Sequence, residues 1–334
     1  MVRVAINGFG RIGRLAFRLM EEDPEFEVVA INDLTDAEQL AYLLKYDTNH
    51  RNYRIGEIHS EGDNIVVGDR SIKIYAETDP ANLPWRDLNI DVVLECTGKF
   101  TSEEKAMAHI NAGAKKVIIS APAKGDIKTI VYNVNHMILK GDEKIISAAS
   151  CTTNCLAPVV DVLDKAFGIV KGYMTTVHAY TNDQATLDVP HKKGIKARRG
   201  RACAANIVPA STGAASAIGK VCPNLDGKLD GAAMRVPVPT GSVIDLVLEF
   251  EKNTTAEEIN AVLKGAQNET LQYTDDPIVS SDVIGRHCGS LVDGLSTSVL
   301  EVEGKQLARV VSWYDNEMSY TAQMVRTAKY LMEQ

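Results

Sequence analysis

The chain opens with Val2-Arg-Val-Ala-Ile-Asn-Gly-Phe-Gly-Arg-Ile-Gly13, an apolar run followed by three glycines spaced as GxGxxG. The run predicts a strand over residues 2–7, and residues 11–22 carry apolar side chains at helical spacing. Gly8 permits a tight turn, Gly10 lets the backbone approach a pyrophosphate, and Gly13 lets helix and strand pack closely. This arrangement is typical of a dinucleotide-binding unit that holds a pyrophosphate at the helix N-terminus.

A carboxylate follows at the distance that such a site requires. Asp33 comes directly after the second predicted strand, residues 27–32, and lies twenty residues past Gly13. Its carboxylate can accept hydrogen bonds from both ribose hydroxyls and would repel a 2′-phosphate, so it predicts NAD rather than NADP. An ordinary glycine turn is the weaker interpretation, because strand, helix and acid all stand in the expected context.

The first 150 residues alternate strand-like and helix-like segments. Further strands are predicted at 91–96, 116–119, 129–134 and 144–148, and a helix at 102–112. Near-continuous apolar strands separated by helices indicate an α/β fold with a Rossmann-type, doubly wound parallel sheet covered on both faces. We therefore predict an NAD-binding domain over residues 1–150.

The pattern changes after residue 150. Strand-like runs become longer and more often adjacent, at 170–180, 229–237, 241–250 and 297–314, and the last contains a hairpin turn at 301–305. Helices are predicted at 153–167 and 255–266, with a closing helix at 320–332. This pattern predicts an α+β catalytic domain with a mixed or antiparallel sheet over residues 151–316.

The composition limits the classes of function. The 334 residues are 45% hydrophobic and 24% charged, which is close to an average globular protein of two domains. A net charge of −8 argues against a broad attraction to nucleic acid. No apolar run reaches the ~18 residues of a spanning helix, and the N-terminus lacks the features of a signal peptide. We expect a cytoplasmic protein that does not interact with a membrane.

Cys151 is the candidate nucleophile among six cysteines that form no CxxC pair. It follows a strand and lies near the start of a predicted helix, where the dipole and free N–H groups lower the pKa of a thiol. Cys155 lies one turn further along, where a disulfide, a metal pair or a buried thiol are the alternatives. A buried thiol is favoured, since a disulfide does not suit a reducing compartment and no further ligands cluster nearby. We predict no metal site.

His178 is the best-placed candidate base among seven histidines. It lies in a predicted strand with polar neighbours and leads into a loop. A lone histidine in a strand is most often structural, and sequence separation alone cannot demonstrate a Cys–His pair. Its role stays open at this point.

Six cations lie between positions 192 and 201. A solvated loop, a nucleic-acid site and a site for a phosphorylated small substrate are the alternatives. Net acidity and the lack of interleaved aromatic residues weaken the nucleic-acid interpretation. Two further elements could add donors to a phosphate site: the segment Ser211-Thr212-Gly213, and Arg235 in a predicted strand.

Five segments together resemble the phosphorylating glyceraldehyde-3-phosphate dehydrogenases. They are INGFGRIGR at 6–14, SCTTNC at 150–155, TTVHAYTNDQ at 175–184, STGAA at 211–215 and SWYDNE at 312–317. The resemblance implies NAD-dependent oxidation of glyceraldehyde 3-phosphate to 1,3-bisphosphoglycerate, with inorganic phosphate as the second substrate. It also implies a homotetramer that requires no nucleic acid, and a C-terminal helix, residues 317–334, that returns to the NAD-binding domain.

The resemblance also implies a role for individual residues. Cys151 would attack the aldehyde to form a thiohemiacetal and then an acyl thioester, and His178 would activate the thiol. Thr181 and Arg235 would bind the C3 phosphate of the substrate. The attacking phosphate would meet Ser150, Thr152, Thr212 and Gly213, with Arg199 nearby. Cofactor contacts are implied for Gly8, Gly10, Arg11, Ile12, Gly13, Asp33, Ser120 and Asn316.

Two features depart from the pattern of the family. Thr78 stands where many relatives have an arginine near the adenine, so this cofactor contact differs. The basic loop looks longer than in some relatives, which leaves Arg199 and Arg198 as alternatives at the phosphate. Two other functions remain open: an erythrose-4-phosphate dehydrogenase with the same Cys–His pair, and a secondary nucleic-acid-binding role of residues 192–201.

Overall fold

The computed structural model describes residues 1–334 and divides into two compact units. Unit 1 comprises Met1–Ile130, His136–Ser150 and Met324–Gln334, and unit 2 comprises Val131–Asn135 and Cys151–Gln323. None of the helices combines the length and the apolar character needed to cross a membrane.

Unit 1 contains an eight-stranded sheet. Its strands are β1 (Val2–Asn7), β2 (Phe26–Asn32), β3 (Ile58–Glu61), β4 (Asn64–Val67), β5 (Arg70–Tyr75), β6 (Val92–Glu95), β7 (Lys116–Ile119) and β8 (Ile145–Ser147). They run in the order β3-β4-β5-β2-β1-β6-β7-β8. In this spatial order, every neighbouring pair of strands from β5 through β2 and β1 to β8 is parallel. Strands β3, β4 and β5 form an antiparallel edge. Helices of this unit are α1 (Arg11–Glu21), α2 (Ala37–Lys45) and α3 (Glu103–Asn111).

This topology confirms the Rossmann-type sheet. The chain reverses its direction of winding between the neighbours β1 and β6, which makes their carboxyl ends the topological switch point where such sheets bind ligands. The β3–β5 edge was not predicted, because β3 and β4 have only four residues each and β3 is mostly polar.

The prediction of a strand at 129–134 is wrong. The segment makes only an isolated bridge between Thr129 and Ser147 and then forms turns. Two asparagines explain this: Asn133 adopts a left-handed backbone at φ 61°, and the Asn135 side chain accepts a hydrogen bond from Val131 N at 2.8 Å. Such local bonds compete with the ladder of a sheet.

Unit 2 contains a seven-stranded mixed sheet, as predicted. Its strands are β9 (Ile169–Ala179), β10 (Val208–Ser211), β11 (Leu229–Val236), β12 (Ser242–Phe250), β13 (Leu271–Thr274), β14 (Ser290–Val302) and β15 (Lys305–Tyr314). Their order is β10-β11-β9-β12-β15-β14-β13, with parallel pairs β11/β9 and β13/β14. Helices α4 (Cys151–Phe167) and α5 (Ala256–Gly265) belong to this unit. Helix α6 (Met318–Glu333) contributes Met318–Gln323 to it and its remaining residues to unit 1.

Candidate active site

The glycine loop of unit 1 is shaped for a ligand. Gly8 has φ +92°, and a Cβ there would come within 2.8 Å of Thr97 N. A Cβ at Gly13 would lie 2.2 Å from the Gly8 carbonyl oxygen, whereas at Gly10 it would meet nothing within 4 Å. Gly8 and Gly13 therefore allow close packing, and Gly10 leaves open space beside the start of α1. No side chain caps this helix, so its N-terminus suits an anion.

A cleft of about 330 Å³ extends from this loop. Asp33 and Thr78 line it, and Asp33 Oδ2 accepts a hydrogen bond from Phe9 N at 2.7 Å, which ties the carboxylate to the glycine loop. Ser120 lies just past the end of β7, where its N–H donates to Glu95 O at 2.9 Å. The other residues that line the cleft are Asn7, Gly8, Gly10, Asn32, Leu34, Glu77, Cys96, Thr97, Lys99 and Phe100.

The Arg11 side chain does not line this cleft. Its guanidinium forms two hydrogen bonds with Asp47, at 2.5 and 2.9 Å, and lies 3.1 Å from His50 Nδ1. Although burial raises the pKa of Asp47, hydrogen bonds from His50 and Arg11 hold it well below its usual range. The Arg11 side chain therefore stabilises the fold through Asp47. Only the main chain of Arg11 and Ile12 lies at the glycine loop.

Cys151 is the first residue of α4, two residues earlier than the predicted helix start. Its Sγ lies 3.4 Å from Nε2 of His178, which belongs to β9. Two residues before it in the chain, Ala149 adopts a left-handed backbone at φ 60°. The structure thus brings the candidate nucleophile and base into contact.

Burial controls the charges of this pair. It raises the pKa of the Cys151 thiol, although Arg235 and hydrogen bonds from Thr152 act in the opposite direction. The expected lowering by the helix N-terminus is therefore outweighed. Burial, followed by the charge of Arg235, lowers the pKa of His178 to about 3. The pair is a neutral thiol beside a neutral imidazole at neutral pH.

Arg235 lies behind the imidazole because it is paired with His178 in the parallel register of β11 and β9. Its Nη1 lies 2.7 Å from His178 Nδ1 and donates to Ala179 O at 3.0 Å and to Thr181 Oγ1 at 3.3 Å. Ala179 O also accepts the His178 Nδ1–H at 2.7 Å, which leaves Nε2 as the acceptor that faces Cys151. Its Nε is buried without a hydrogen-bond partner. A cation with an unused buried donor is suited to receive an anion.

Thr181 and Arg199 meet at one carboxylate. Asp183 accepts hydrogen bonds from Thr181 Oγ1 and from Arg199 Nη1. Burial lowers the pKa of both His178 and Arg235, and the charge of Arg199 lowers both further. Arg198 instead lines a surface pocket of about 410 Å³ whose lining also includes Lys193, Lys196 and Arg199.

The other residues assigned to the attacking phosphate lie in two segments. Thr152 Oγ1 is 3.0 Å from the Tyr314 hydroxyl and is buried, so its hydroxyl faces the core. Thr212 and Gly213 form the turn after β10, where Thr212 Oγ1 accepts from Ala214 N at 3.2 Å. Ser150 is the residue before α4 and belongs to unit 1.

Asn316 is held in a fixed orientation within unit 2. Its Oδ1 accepts hydrogen bonds from Gly241 N at 3.2 Å and from Ser242 Oγ at 2.9 Å. Because a backbone N–H only donates, the oxygen must occupy this position. The amide nitrogen therefore points away with both donors unused by the protein.

Cys155 lies in the core of unit 2. It is fully buried, with Sγ 3.5 Å from Ser290 Oγ, and burial raises its pKa to about 12. None of the six cysteines forms a disulfide. No group of three or more His, Cys, Asp or Glu side chains is arranged to hold a metal ion.

Comparison with known proteins gives the family. Residues 2–103 match the NAD binding domain of glyceraldehyde 3-phosphate dehydrogenase, and residues 150–316 match its C-terminal domain. The chain belongs to the glyceraldehyde-3-phosphate dehydrogenase family. It is 61% identical over 330 residues to the enzyme of Clostridium pasteurianum, 60% over 330 to that of Clostridium acetobutylicum and 57% over 331 to that of Streptococcus pyogenes serotype M1. Each alignment covers 99% of this chain and 98% of the relative.

Membership of the family confirms the resemblance of the five segments, and it confirms NAD as the cofactor of an oxidoreductase. Sequence reasoning missed several cleft residues, notably Leu34, Thr97 and Phe100. They follow the predicted strands 27–32 and 91–96, and the position after a parallel strand was the signal that could have found them.

Proposed function

We propose that this protein oxidises D-glyceraldehyde 3-phosphate to 1,3-bisphosphoglycerate with NAD and inorganic phosphate. The observation that carries the proposal is the 3.4 Å contact between Cys151 Sγ and His178 Nε2. Arg235 stands behind the same imidazole, where an anionic substrate group would meet it. The relatives at 57–61% identity are glyceraldehyde-3-phosphate dehydrogenases.

The first step is attack of the Cys151 sulfur on the aldehyde carbon. His178 Nε2 takes the thiol proton and returns it to the new alkoxide, which gives a thiohemiacetal. In the free protein Arg235 lowers the pKa of His178. The substrate's C3 phosphate, bound by Arg235 with Thr181, offsets that positive charge. Substrate binding therefore makes the imidazole a stronger base when the base is needed.

The second step converts the thiohemiacetal into a thioester. Bound NAD supplies the hydride acceptor. His178 Nε2 removes the hydroxyl proton as the thioester carbonyl forms. Inorganic phosphate then attacks that carbonyl, the C–S bond breaks, and Cys151 leaves as the thiolate. We assign the attacking phosphate to Ser150, the main chain of Thr152, Thr212 and Gly213, with Arg199 nearby.

The cofactor fits the residues of the cleft. The pyrophosphate would lie at the start of α1 beside Gly10, where a Cβ would meet nothing within 4 Å and where Ile12 contributes main chain. Leu34, which is 54% exposed, and Phe100 offer apolar faces for the adenine, and Thr78 lines the same cleft. We assign the ribose to Asp33, a further contact to Ser120 and the nicotinamide carboxamide to the unused amide donors of Asn316.

Replacing Asp33 tests the cofactor assignment. Asp33→Ala should shift the preference from NAD toward NADP, because a charge that repels the 2′-phosphate is lost. Asp33→Asn isolates that charge, since an amide oxygen can still accept from Phe9 N. We expect the ratio of kcat/KM for NADP to that for NAD to rise about tenfold or more in both variants. An unchanged ratio would remove Asp33 from the ribose.

Arg235→Leu tests the phosphate anchor. A charge-assisted contact contributes about 1.5–3 kcal/mol, so kcat/KM for glyceraldehyde 3-phosphate should fall about tenfold or more. Free glyceraldehyde lacks the phosphate, so its slower oxidation should change much less. Arg309→Leu is the matched control, because Arg309 is a half-exposed partner of Asp245 in the same unit. Equal losses on both aldehydes would make Arg235 a structural residue.

A comparison of two substrates decides between close alternatives. The proposal predicts a higher kcat/KM for glyceraldehyde 3-phosphate than for erythrose 4-phosphate. The opposite order would support the erythrose-4-phosphate dehydrogenase alternative.

We also propose that the enzyme acts in the cytoplasm as a homotetramer. Six cysteines without a disulfide suit a reducing compartment. Leu187, Val189, Ile195 and Ile207, in and around the basic loop, are more than half exposed, as expected of a surface that other copies cover. Light scattering should give four times the monomer mass of 36.3 kDa. A monomer at micromolar concentration would contradict this assembly.

A further inference from the structure

A buried hydrogen-bond network lies beneath the dinucleotide cleft, with Glu95 at its centre. Glu95 is the last residue of β6, is 1% exposed and pairs with Asn7 at the end of β1. Its Oε2 accepts from Asn7 Nδ2 at 2.5 Å and faces His109 Nε2 at 3.0 Å. Its Oε1 accepts from Thr97 N at 2.9 Å and from the Thr97 hydroxyl. No arginine or lysine contacts this carboxylate.

The directions of these bonds fix the tautomer of the His109 ring. The Trp85 indole N–H can only donate, and it lies 3.0 Å from His109 Nδ1. His109 Nδ1 is therefore the acceptor, so the ring proton is on Nε2 and is donated to Glu95. Thr97 Oγ1 accepts from Lys99 N at 3.0 Å, so its own proton is free to go to Glu95. Four donors therefore converge on Glu95, and each of them finds its acceptor there.

The same network reaches the opposite wall of the cleft. Asn32 Nδ2 donates to Asn7 Oδ1 at 2.7 Å and to Glu77 O at 2.9 Å, and Asn32 Oδ1 accepts from Glu77 N at 2.8 Å. Asn7, Asn32, Glu77 and Thr97 all line the cleft. Thr97 also packs against the glycine loop, since its N would be 2.8 Å from a Cβ at Gly8.

We propose that Glu95 is a positioning residue for NAD, which acts through Thr97 and Asn7 without touching the cofactor. Its carboxylate holds the loop after β6 against the glycine loop. The hydrogen bond between Asn7 and Asn32 holds the loop after β5 in place across the cleft. A well-packed apolar residue could fill this space, but it would leave the donors of Asn7, His109 and Thr97 unpaired. The inference rests on the proposed binding of NAD in this cleft.

Glu95→Gln tests the proposal because it keeps the shape and removes two acceptor sites. Whichever way the new amide is oriented, its NH2 faces donors: Thr97 N–H on one side, or Asn7 and His109 on the other. We expect the Kd for NAD, measured by calorimetric titration of the full chain, to rise about tenfold or more. The KM for glyceraldehyde 3-phosphate and the alkylation rate of Cys151 without NAD should stay unchanged, since both depend on unit 2. Glu61→Gln, at a 69% exposed side chain of the same unit, is the charge-matched control.

A second pair of variants decides the question if Glu95→Gln does not fold. Thr97→Val removes the hydroxyl that Glu95 binds, and Thr97→Ser retains it. The proposal predicts weaker NAD binding in Thr97→Val and wild-type binding in Thr97→Ser. A Glu95→Gln protein that binds NAD as tightly as the wild type, or equal affinities in the two Thr97 variants, would overturn it. Failure of the wild type to bind NAD would instead refute the cofactor assignment itself.

Discussion

Cys151→Ser is expected to lose oxidation of glyceraldehyde 3-phosphate by a factor on the order of 10⁴ or more. A serine hydroxyl is far less acidic than a thiol, so His178 would generate the attacking alkoxide much less readily than it generates the thiolate. A serine ester would also transfer its acyl group to phosphate far more slowly than a thioester does. The measurement is NADH formation in the presence of phosphate, with the Kd for NAD showing that the cofactor site is intact.

Cys155→Ser is the matched control for this experiment. Cys155 is on the same helix but is fully buried, and its Sγ faces Ser290 Oγ and the Ser312 carbonyl. A serine there should cost stability and leave most of the activity. Comparable losses of activity in the two variants, with both proteins folded, would refute Cys151 as the nucleophile.

His178→Asn is expected to lower kcat by about 10²–10⁴, the usual scale for a positioned acid–base group. The asparagine side chain is too short to put a base at the position of Nε2, 3.4 Å from the sulfur. The rate of Cys151 alkylation near neutral pH should fall as well, because the thiol loses its proton acceptor. NAD affinity should be retained, since the cleft belongs to unit 1.

His59→Asn controls for the loss of a histidine. His59 is 54% exposed on β3 and faces only Glu61, so its replacement should leave kcat unchanged. Normal turnover of His178→Asn, together with an unchanged alkylation rate, would exclude His178 from the mechanism.

The sequence predicted the features of the cofactor site that depend on neighbouring residues in the chain. The glycines at 8, 10 and 13 and the acid at 33 are set by the geometry of one strand, one turn and one helix, and all lie where the spacing indicated. The Cys151–His178 contact is different, because it depends on how α4 and β9 pack. Residue spacing left it open, and only the resemblance to a family predicted it.

Burial and long-range partners account for what the sequence could not show. The thiol pKa was expected to be low from the helix N-terminus, yet desolvation raises it. Nothing in the sequence indicated that the Arg11 guanidinium binds Asp47, which is remote in sequence, so the cofactor contact of Arg11 stays a prediction for its main chain. Glu95 went unnoticed because one glutamate at the end of an apolar strand carries no sign of the four donors that surround it.

The most direct test of the account is the dependence of NADH formation on inorganic phosphate. With glyceraldehyde 3-phosphate and NAD but without phosphate, we expect a rapid burst of NADH of about one per Cys151, as the thioester forms and then persists. Added phosphate should convert the burst into steady turnover and yield 1,3-bisphosphoglycerate. Steady NADH formation at the same rate without phosphate would contradict the account, because it would mean that water, not phosphate, resolves the acyl enzyme.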